Sequence, residues 1–381
     1  MVQALIRKSA CIADLKKRAK RRIPKFAFDY IEGGCNSELA LKNNRTALDD
    51  IFLRPEYLQK YQTPELSTTL FGKKYSAPFG IAPLGLSGLV WPDASAMHAR
   101  AALKSNIPFV LSTVSTISIE DAAKNAEDNF WFQLYPPADE EILDDMLDRL
   151  RKVGCQNLVV TVDVPTPSRR ISAIKSGLAV PPKITIKSVF ESTIRPFWSL
   201  ATVRAGLPQF ATLRPYIKDA TNIEDIATFI RVTLRDVVDE STLKILRDKW
   251  QGNLIVKGIS HVDDAITVKG IGADGIIVSN HGGRQLDASL PPAETLEEII
   301  DAVGADLTVM ADSGVETGVD IARYLALGAE MVFAGRAFLY GVAAHGEQGA
   351  GHTIDILRDE LEQVMSQVHC AKPALMHQYL E

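Results

Sequence analysis

Eight short apolar runs, the helical patterns between them and the polar residues at their ends predict an α/β fold for this chain, a (β/α)8 TIM barrel. Runs that are apolar almost throughout belong to strands buried on both faces, as in parallel sheets whose crossovers are helices. Strand–helix alternation repeated eight times implies closure, although an open doubly wound sheet shares the pattern. The run ends favour the barrel: its strands deliver their C-terminal ends to one rim, where residues distant in sequence converge.

Residues 10–34 read as a helical N-terminal cap with Tyr30 near its end. The strand runs follow at 79–85 (FGIAPLG), 109–113 (FVLST), 131–135 (WFQLY) and 158–164 (LVVTVDV). The second four are 254–258 (LIVKG), 275–280 (GIIVSN), 308–314 (TVMADSG) and 331–336 (MVFAGR). Helical stretches lie at 93–105, 140–153, 262–270, 293–303 and 318–327, and an amphipathic helix at 353–370 follows the last strand. The barrel thus occupies about 76–350 of a single domain, 1–381. The interval 169–252 after the fourth strand breaks the spacing, and loops longer than ~15 residues are usually functional or mobile.

Hydrophobic residues at 46% and charged residues at 23% of 381 suit a large globular core. A net charge of -5 argues against nucleic acid as partner. Cys11, Cys35, Cys155 and Cys370 form no C-x-x-C pair, which excludes a zinc ribbon and disfavours a disulfide framework. The N-terminus is basic without the apolar core of a signal peptide, and no run approaches the ~20 apolar residues of a membrane span. The expectation is a cytoplasmic protein.

The sharpest local signal is SNHGGRQLD, 279–287, directly after the sixth strand. His281 can take a proton near neutral pH. Arg284, beyond two glycines that let the backbone fold closely, can clamp a carboxylate in a bidentate fork. A structural histidine capping the next helix is the alternative. Asp163 closes the fourth strand and could orient His281 and stabilise its charge, or cap a turn before Pro165. Arg169 or Arg170 could add a second carboxylate contact. Lys257 ends an apolar strand, where an ammonium needs an anionic neighbour, from a ligand or from a buried acidic side chain. Asp312-Ser313-Gly314 and Gly335-Arg336 end the seventh and eighth strands, where barrels commonly bind phosphate through backbone N–H groups. P-loop and H-E-x-x-H motifs are absent.

These segments, with TVDVP, FQLY, IVKG and ALGAEMVFAGRA, resemble the FMN-dependent L-2-hydroxy acid oxidases and dehydrogenases, the family of glycolate oxidase, L-lactate dehydrogenase and L-mandelate dehydrogenase. The resemblance runs from about Tyr30 to the C-terminal helix. It implies His281 as the active-site base with Asp163 as its partner, and Arg170 and Arg284 as the substrate-carboxylate arginines. Tyr30 and Tyr135 match tyrosines at the carboxylate and hydroxyl ends of the substrate. Lys257 matches a lysine beside flavin N1 and O2. Ala82, Pro83, Ser112, Gln133, Thr161 and Ser279 match positions along the ring and ribityl chain, and Asp312, Gly314, Gly335 and Arg336 match the ribityl–phosphate site. The implied reaction removes the substrate's α-hydrogen, as a proton or as a hydride, and leaves His281 protonated in both versions. The resemblance also implies a homotetramer.

Three positions depart from the family pattern. Glu316 stands where many relatives place a phosphate-binding arginine. Val114 replaces the aromatic residue of glycolate oxidase, which leaves room for a larger substrate side chain. Gly85 replaces the alanine more common in oxidases, which tilts the reading to a dehydrogenase. Residues 187–218 carry five basic residues, one acidic residue and Phe190, Phe197, Trp198, Phe210 and Tyr216, a mixture suited to an anionic headgroup zone. RPFWSL and GLPQ resemble the membrane-associating loop of L-mandelate dehydrogenase, so peripheral attachment to the inner face of the cell membrane and a quinone or similar acceptor are expected. A mobile lid or a subunit contact would also explain the segment. An oxidase passing electrons to O2, a flavin-free phosphate-binding isomerase and an inactive interaction barrel are the rival readings.

Overall fold

The computed structural model describes residues 5, 7–58, 60–177, 185–217, 229, 233–234 and 237–381. Its centre is a closed barrel of parallel strands: β3 (Phe79–Ile81), β4 (Phe109–Ser112), β5 (Phe130–Leu134), β6 (Asn157–Thr161), β7 (Asn253–Ile259), β8 (Gly275–Val278), β9 (Thr308–Asp312) and β10 (Met331–Ala334). Closure runs through β10 against β3, with Val332 opposite Phe79 and Ala334 opposite Ile81. Most strands stop sooner than the apolar runs suggested, so Asp163, Asn280, His281 and Gly335 lie just beyond them at the C-terminal rim, whereas Ser112, Gln133, Lys257 and Asp312 remain within the strands.

Packed inside the barrel are Val110, Trp131, Val159, Ile255, Ile277, Met310, Met331 and Phe333. Leu70 and Tyr75 join it from an antiparallel hairpin, β1 (Thr68–Leu70) with β2 (Lys73–Tyr75), which sequence reasoning missed. The hairpin closes the end where the strands begin: Phe71 packs on Trp131 at 5.8 Å between ring centroids, and the Trp131 indole donates to the Tyr75 hydroxyl at 3.1 Å. A buried indole N–H needs such a partner.

Among the described residues each barrel strand is followed by a helix on the outer shell. Ile119–Ala126 and Arg336–His345 were not foreseen. The first is short and capped by Ser118, whose hydroxyl accepts from the Asp121 amide. The second is buried from Ala337 to Ala344 and has no polar stripe to reveal its period. The N-terminal cap is two helices, Ile12–Arg22 and Lys25–Glu32, parted at Pro24, where a missing N–H and a fixed φ break the run. A further helix, Leu39–Asp49, follows. The last helix begins earlier than expected, at Glu347. Its glycines suggest a loop but serve a close crossing, since a Cβ on Gly349 would fall 1.8 Å from the carbonyl oxygen of Gly341.

The expected long loop, 169–252, is also corrected. Glu240–Lys249 inside it is the barrel helix that precedes β7. Residues 178–184, 218–228, 230–232 and 235–236 lie outside the described residues. Within the remainder, helices Ile186–Thr193 and Pro196–Ala205 form a hairpin pinned to the barrel by Trp198, which is 7% exposed and donates to the Val90 carbonyl at 3.1 Å. Its other face carries exposed Val189, Phe190, Ile194, Phe197, Leu200 and Val203. The aromatic residues therefore do not share one surface as the sequence suggested. Trp198 is buried, Tyr216 stacks on Arg149 and donates to Asp145, and the outward face is mainly aliphatic. No helix of the described residues is long and apolar enough to cross a membrane.

Candidate active site

His281 reaches the rim through a loop of unusual backbone. His281, Gly282 and Gly283 follow β8 with φ of +58°, +64° and +70°, a left-handed run that side chains other than glycine seldom adopt. Gly283 is required sterically as well, because a Cβ there would meet the Leu41 amide nitrogen at 2.5 Å. Polar side chains hold the loop in place. Asn280 exchanges two amide hydrogen bonds with Asn44 (2.6 and 2.8 Å), and the Gly282 amide donates to the Ser313 hydroxyl at 3.0 Å.

The His281 Nδ1 lies 2.9 Å from Asp163 Oδ1. Burial alone would raise the Asp163 carboxyl, but His281 and Lys257 outweigh it and hold it below the usual carboxylate range. Asp163 Oδ2 is buried without a partner. Gly258, at φ +102°, makes the approach possible, since a Cβ on it would stand 2.6 Å from the Asp163 Cβ.

Lys257 is 3% exposed and lies 3.0 Å from Asp312 Oδ2 and 2.9 Å from the Ser279 hydroxyl. Burial would lower its pKa, yet Asp312 and Asp163 raise it, so the ammonium stays charged. The protein itself supplies a buried anionic side chain, Asp312, as the neighbour of Lys257. Ser279 donates onward to Asp312 Oδ1 at 2.5 Å.

A group of cations faces the same space. Arg284 donates to the carbonyls of Tyr30 (3.0 Å) and Gly33 (3.1 Å) and lies over the Tyr30 ring. Burial and the neighbouring Arg170 push its pKa down to about 9. Among the described residues Arg170 itself donates only to the Ser168 hydroxyl (3.2 Å). Two guanidiniums held together without a carboxylate between them form a ready anion site. Tyr30 donates to the Gly85 carbonyl at 2.8 Å, and burial followed by the Asp163 charge raises the Tyr135 phenol.

The predicted residues converge. Tyr30, Ala82, Pro83, Ser112, Tyr135, Thr161, Arg170, Lys257, His281, Arg284, Asp312, Gly314, Gly335 and Arg336 line one cavity. Gln133, Ser279 and Asp163 stand behind it, bonded to Ser112, Lys257 and His281 respectively. Arg45, from helix Leu39–Asp49, also lines the wall and was missed, because nothing in KNNRT marks it. Among the described residues no group of acidic, histidine or cysteine side chains could hold a metal.

The donor set fits a flavin nucleotide. Gln133 Nε2 and Thr161 Oγ1 are buried without partners at the ends of β5 and β6, groups that a heterocycle's ring edge would satisfy. At the opposite end Arg336 donates to the Ile31 and Gly282 carbonyls, and the helix it opens has no side-chain cap at Gly335, which leaves an amide cluster suited to phosphate.

Comparison with known proteins agrees with that fit. The family described as FMN-dependent dehydrogenase matches residues 19–380. The chain is 39% identical over 355 residues to the L-lactate dehydrogenase of Pseudomonas syringae pv. syringae (strain B728a), covering 93% of each. It is 38% identical to the L-lactate dehydrogenase of Caulobacter vibrioides (strain NA1000 / CB15N), covering 93% of this chain and 92% of that one. Among solved structures it resembles the monotopic membrane protein (S)-mandelate dehydrogenase with a TM-score of 0.92 and 36% identity, covering 97% and 98% of the two chains.

Proposed function

Since the chain belongs to the FMN-dependent dehydrogenase family, we propose that it oxidises an L-2-hydroxy acid to the 2-oxo acid and passes the electrons to a quinone or similar acceptor. The observation that carries this reading is the pairing of His281 with Asp163 in a cavity that also holds two guanidiniums without carboxylate partners among the described residues.

Bound FMN supplies the two-electron acceptor. Gln133, Thr161 and Lys257 would hold the ring, with Ala82, Pro83, Ser112 and Ser279 around it; Arg336 and the amides after Gly335 would hold the phosphate, beside Asp312 and Gly314. Arg170 and Arg284 bind the substrate carboxylate, with Tyr30 and Tyr135 at its two ends. Asp163 accepts from Nδ1–H of His281 and fixes the tautomer, which leaves Nε2 to take the substrate's proton. The imidazolium so formed is stabilised by the same carboxylate. Leu84, Gly85 and Val114 give the cavity an apolar wall for an alkyl or aryl side chain such as that of lactate or mandelate. FMN dependence sets aside the flavin-free isomerase.

The exposed face of the 186–205 hairpin would seat the protein on a membrane, where a quinone is met, and the monotopic neighbour supports this placement. Exposed Phe52, Tyr57, Leu58 and Tyr61 offer a separate apolar surface for a tetramer contact.

Anaerobic titration of the yellow protein tests the reaction. L-lactate or L-mandelate should bleach the flavin and their D-enantiomers should not; a spectrum unmoved by any L-2-hydroxy acid would sink the proposal. Reoxidation by a quinone analogue without peroxide identifies the dehydrogenase, and stoichiometric peroxide in air identifies the oxidase.

A further inference from the structure

The phosphate end of the cavity is asymmetric. Two helices begin there, Gly318–Ala326 and Arg336–His345. The protein's own carboxylates already fill the first helix start. Asp320 Oδ2 accepts from the amides of Glu316 (3.0 Å) and Thr317 (2.9 Å), and Glu360 Oε2 accepts from the Gly318 amide (2.7 Å). With those three amides occupied and two carboxylates at its end, this start offers a phosphate little positive field. The second start, at Gly335, carries no carboxylate and no side-chain cap.

The two guanidiniums in this wall also differ. Arg45 is neutralised twice, by Asp49 at 2.7 Å and Asp320 at 2.6 Å. Among the described residues Arg336 donates only to the neutral carbonyls of Ile31, Gly33 and Gly282. Glu316 lines the same cavity beside Gly314, is half-buried, and forms no ion pair among the described residues. A phosphate placed here meets one uncompensated guanidinium, one open helix start and one carboxylate of its own sign. Partial burial reduces the screening that would otherwise mute the repulsion.

We propose that Glu316 sets flavin retention in this chain by opposing the FMN phosphate, so that the phosphate adds little affinity and riboflavin is held nearly as well as FMN. The inference rests on the flavin site of the proposed function. Equilibrium dialysis of the full chain and of Glu316→Gln, against graded FMN and separately against riboflavin, reads both dissociation constants from the bound flavin's absorbance. Glu316→Gln should tighten FMN on the order of tenfold and riboflavin by less than about twofold. Glu316→Ala, which removes the charge differently, should give the same split. An FMN constant unchanged in both variants, or equal tightening of the two flavins, overturns the role of Glu316 while leaving the flavin site standing. A chain that binds neither flavin overturns the site itself.

Discussion

His281 is constrained from both sides: its backbone is held at positive φ by the loop after β8, and its ring is held by Asp163 at 2.9 Å. A glutamine at 281 could still bond Asp163 but could not accept a proton. His281→Gln should therefore lower dye-linked turnover by about 10²–10⁴-fold with the bound flavin's absorbance unchanged. Turnover within tenfold of the unaltered chain would remove His281 from the proton-transfer role. This residue was legible because it follows a strand run and is followed by two glycines. Asp163, Lys257 and Asp312 were legible for the same reason, since each ends an apolar run. That Lys257 pairs with Asp312 was not readable, because β7 and β9 become neighbours of one space only once the barrel closes. Arg45 and Asn44 were invisible for a related reason: their helix precedes the barrel in sequence and reaches the rim only by packing on it.

Elements were legible where burial imposes a period. The strands, buried on both faces, read as apolar runs, and the outer helices with one wet face read at 3.6 residues per turn. Arg336–His345 lacks a wet face, and the β1–β2 hairpin is too short to show a period. In the 186–205 hairpin composition alone put Trp198 on the surface with the other aromatic residues, although it is buried and anchors the hairpin. The membrane contact proposed above would then fall to Phe197 and Val203, 72% and 79% exposed. Burying each such side chain in an apolar phase is worth ~1.5–3 kcal/mol, so Phe197→Ser with Val203→Ser should weaken co-sedimentation with anionic vesicles at least about tenfold. Turnover with a soluble dye should persist, because neither residue lines the cavity. A doubly substituted chain that pellets with vesicles as the original does would place the contact elsewhere.

Across the whole molecule, acid sensitivity should come from histidines far from the reaction. His98, on helix Ala94–Ser105, lies with Nε2 3.1 Å from the Phe338 carbonyl and packs edge-on against that ring, joining two helices of the outer shell. Burial lowers its pKa to about 4, and His345, beside Ser9, is lowered to about 4 by burial and the charge of Arg18. For a base held neutral in the fold, the unfolded chain binds the proton first. Stability is then full above the unfolded value of about 6.5 and falls as pH drops toward the folded value. Asp163 changes stability only below the ordinary carboxylate range, since its pKa is lowered. Glu330 and Glu360, raised by burial, work in the opposite direction in mild acid. The contribution of His98 must therefore be read as a difference. Its share of the slope between pH 6 and 5 is up to about 1.4 kcal/mol per pH unit. His98→Gln keeps a donor for the Phe338 carbonyl and cannot titrate. Urea unfolding of both chains at pH 7, 6 and 5, at one fixed FMN concentration because ligand shifts stability by mass action, should show a shallower loss for His98→Gln. Parallel losses would mean that His98 is already protonated in the folded protein near neutrality, or that the two helices part before it titrates.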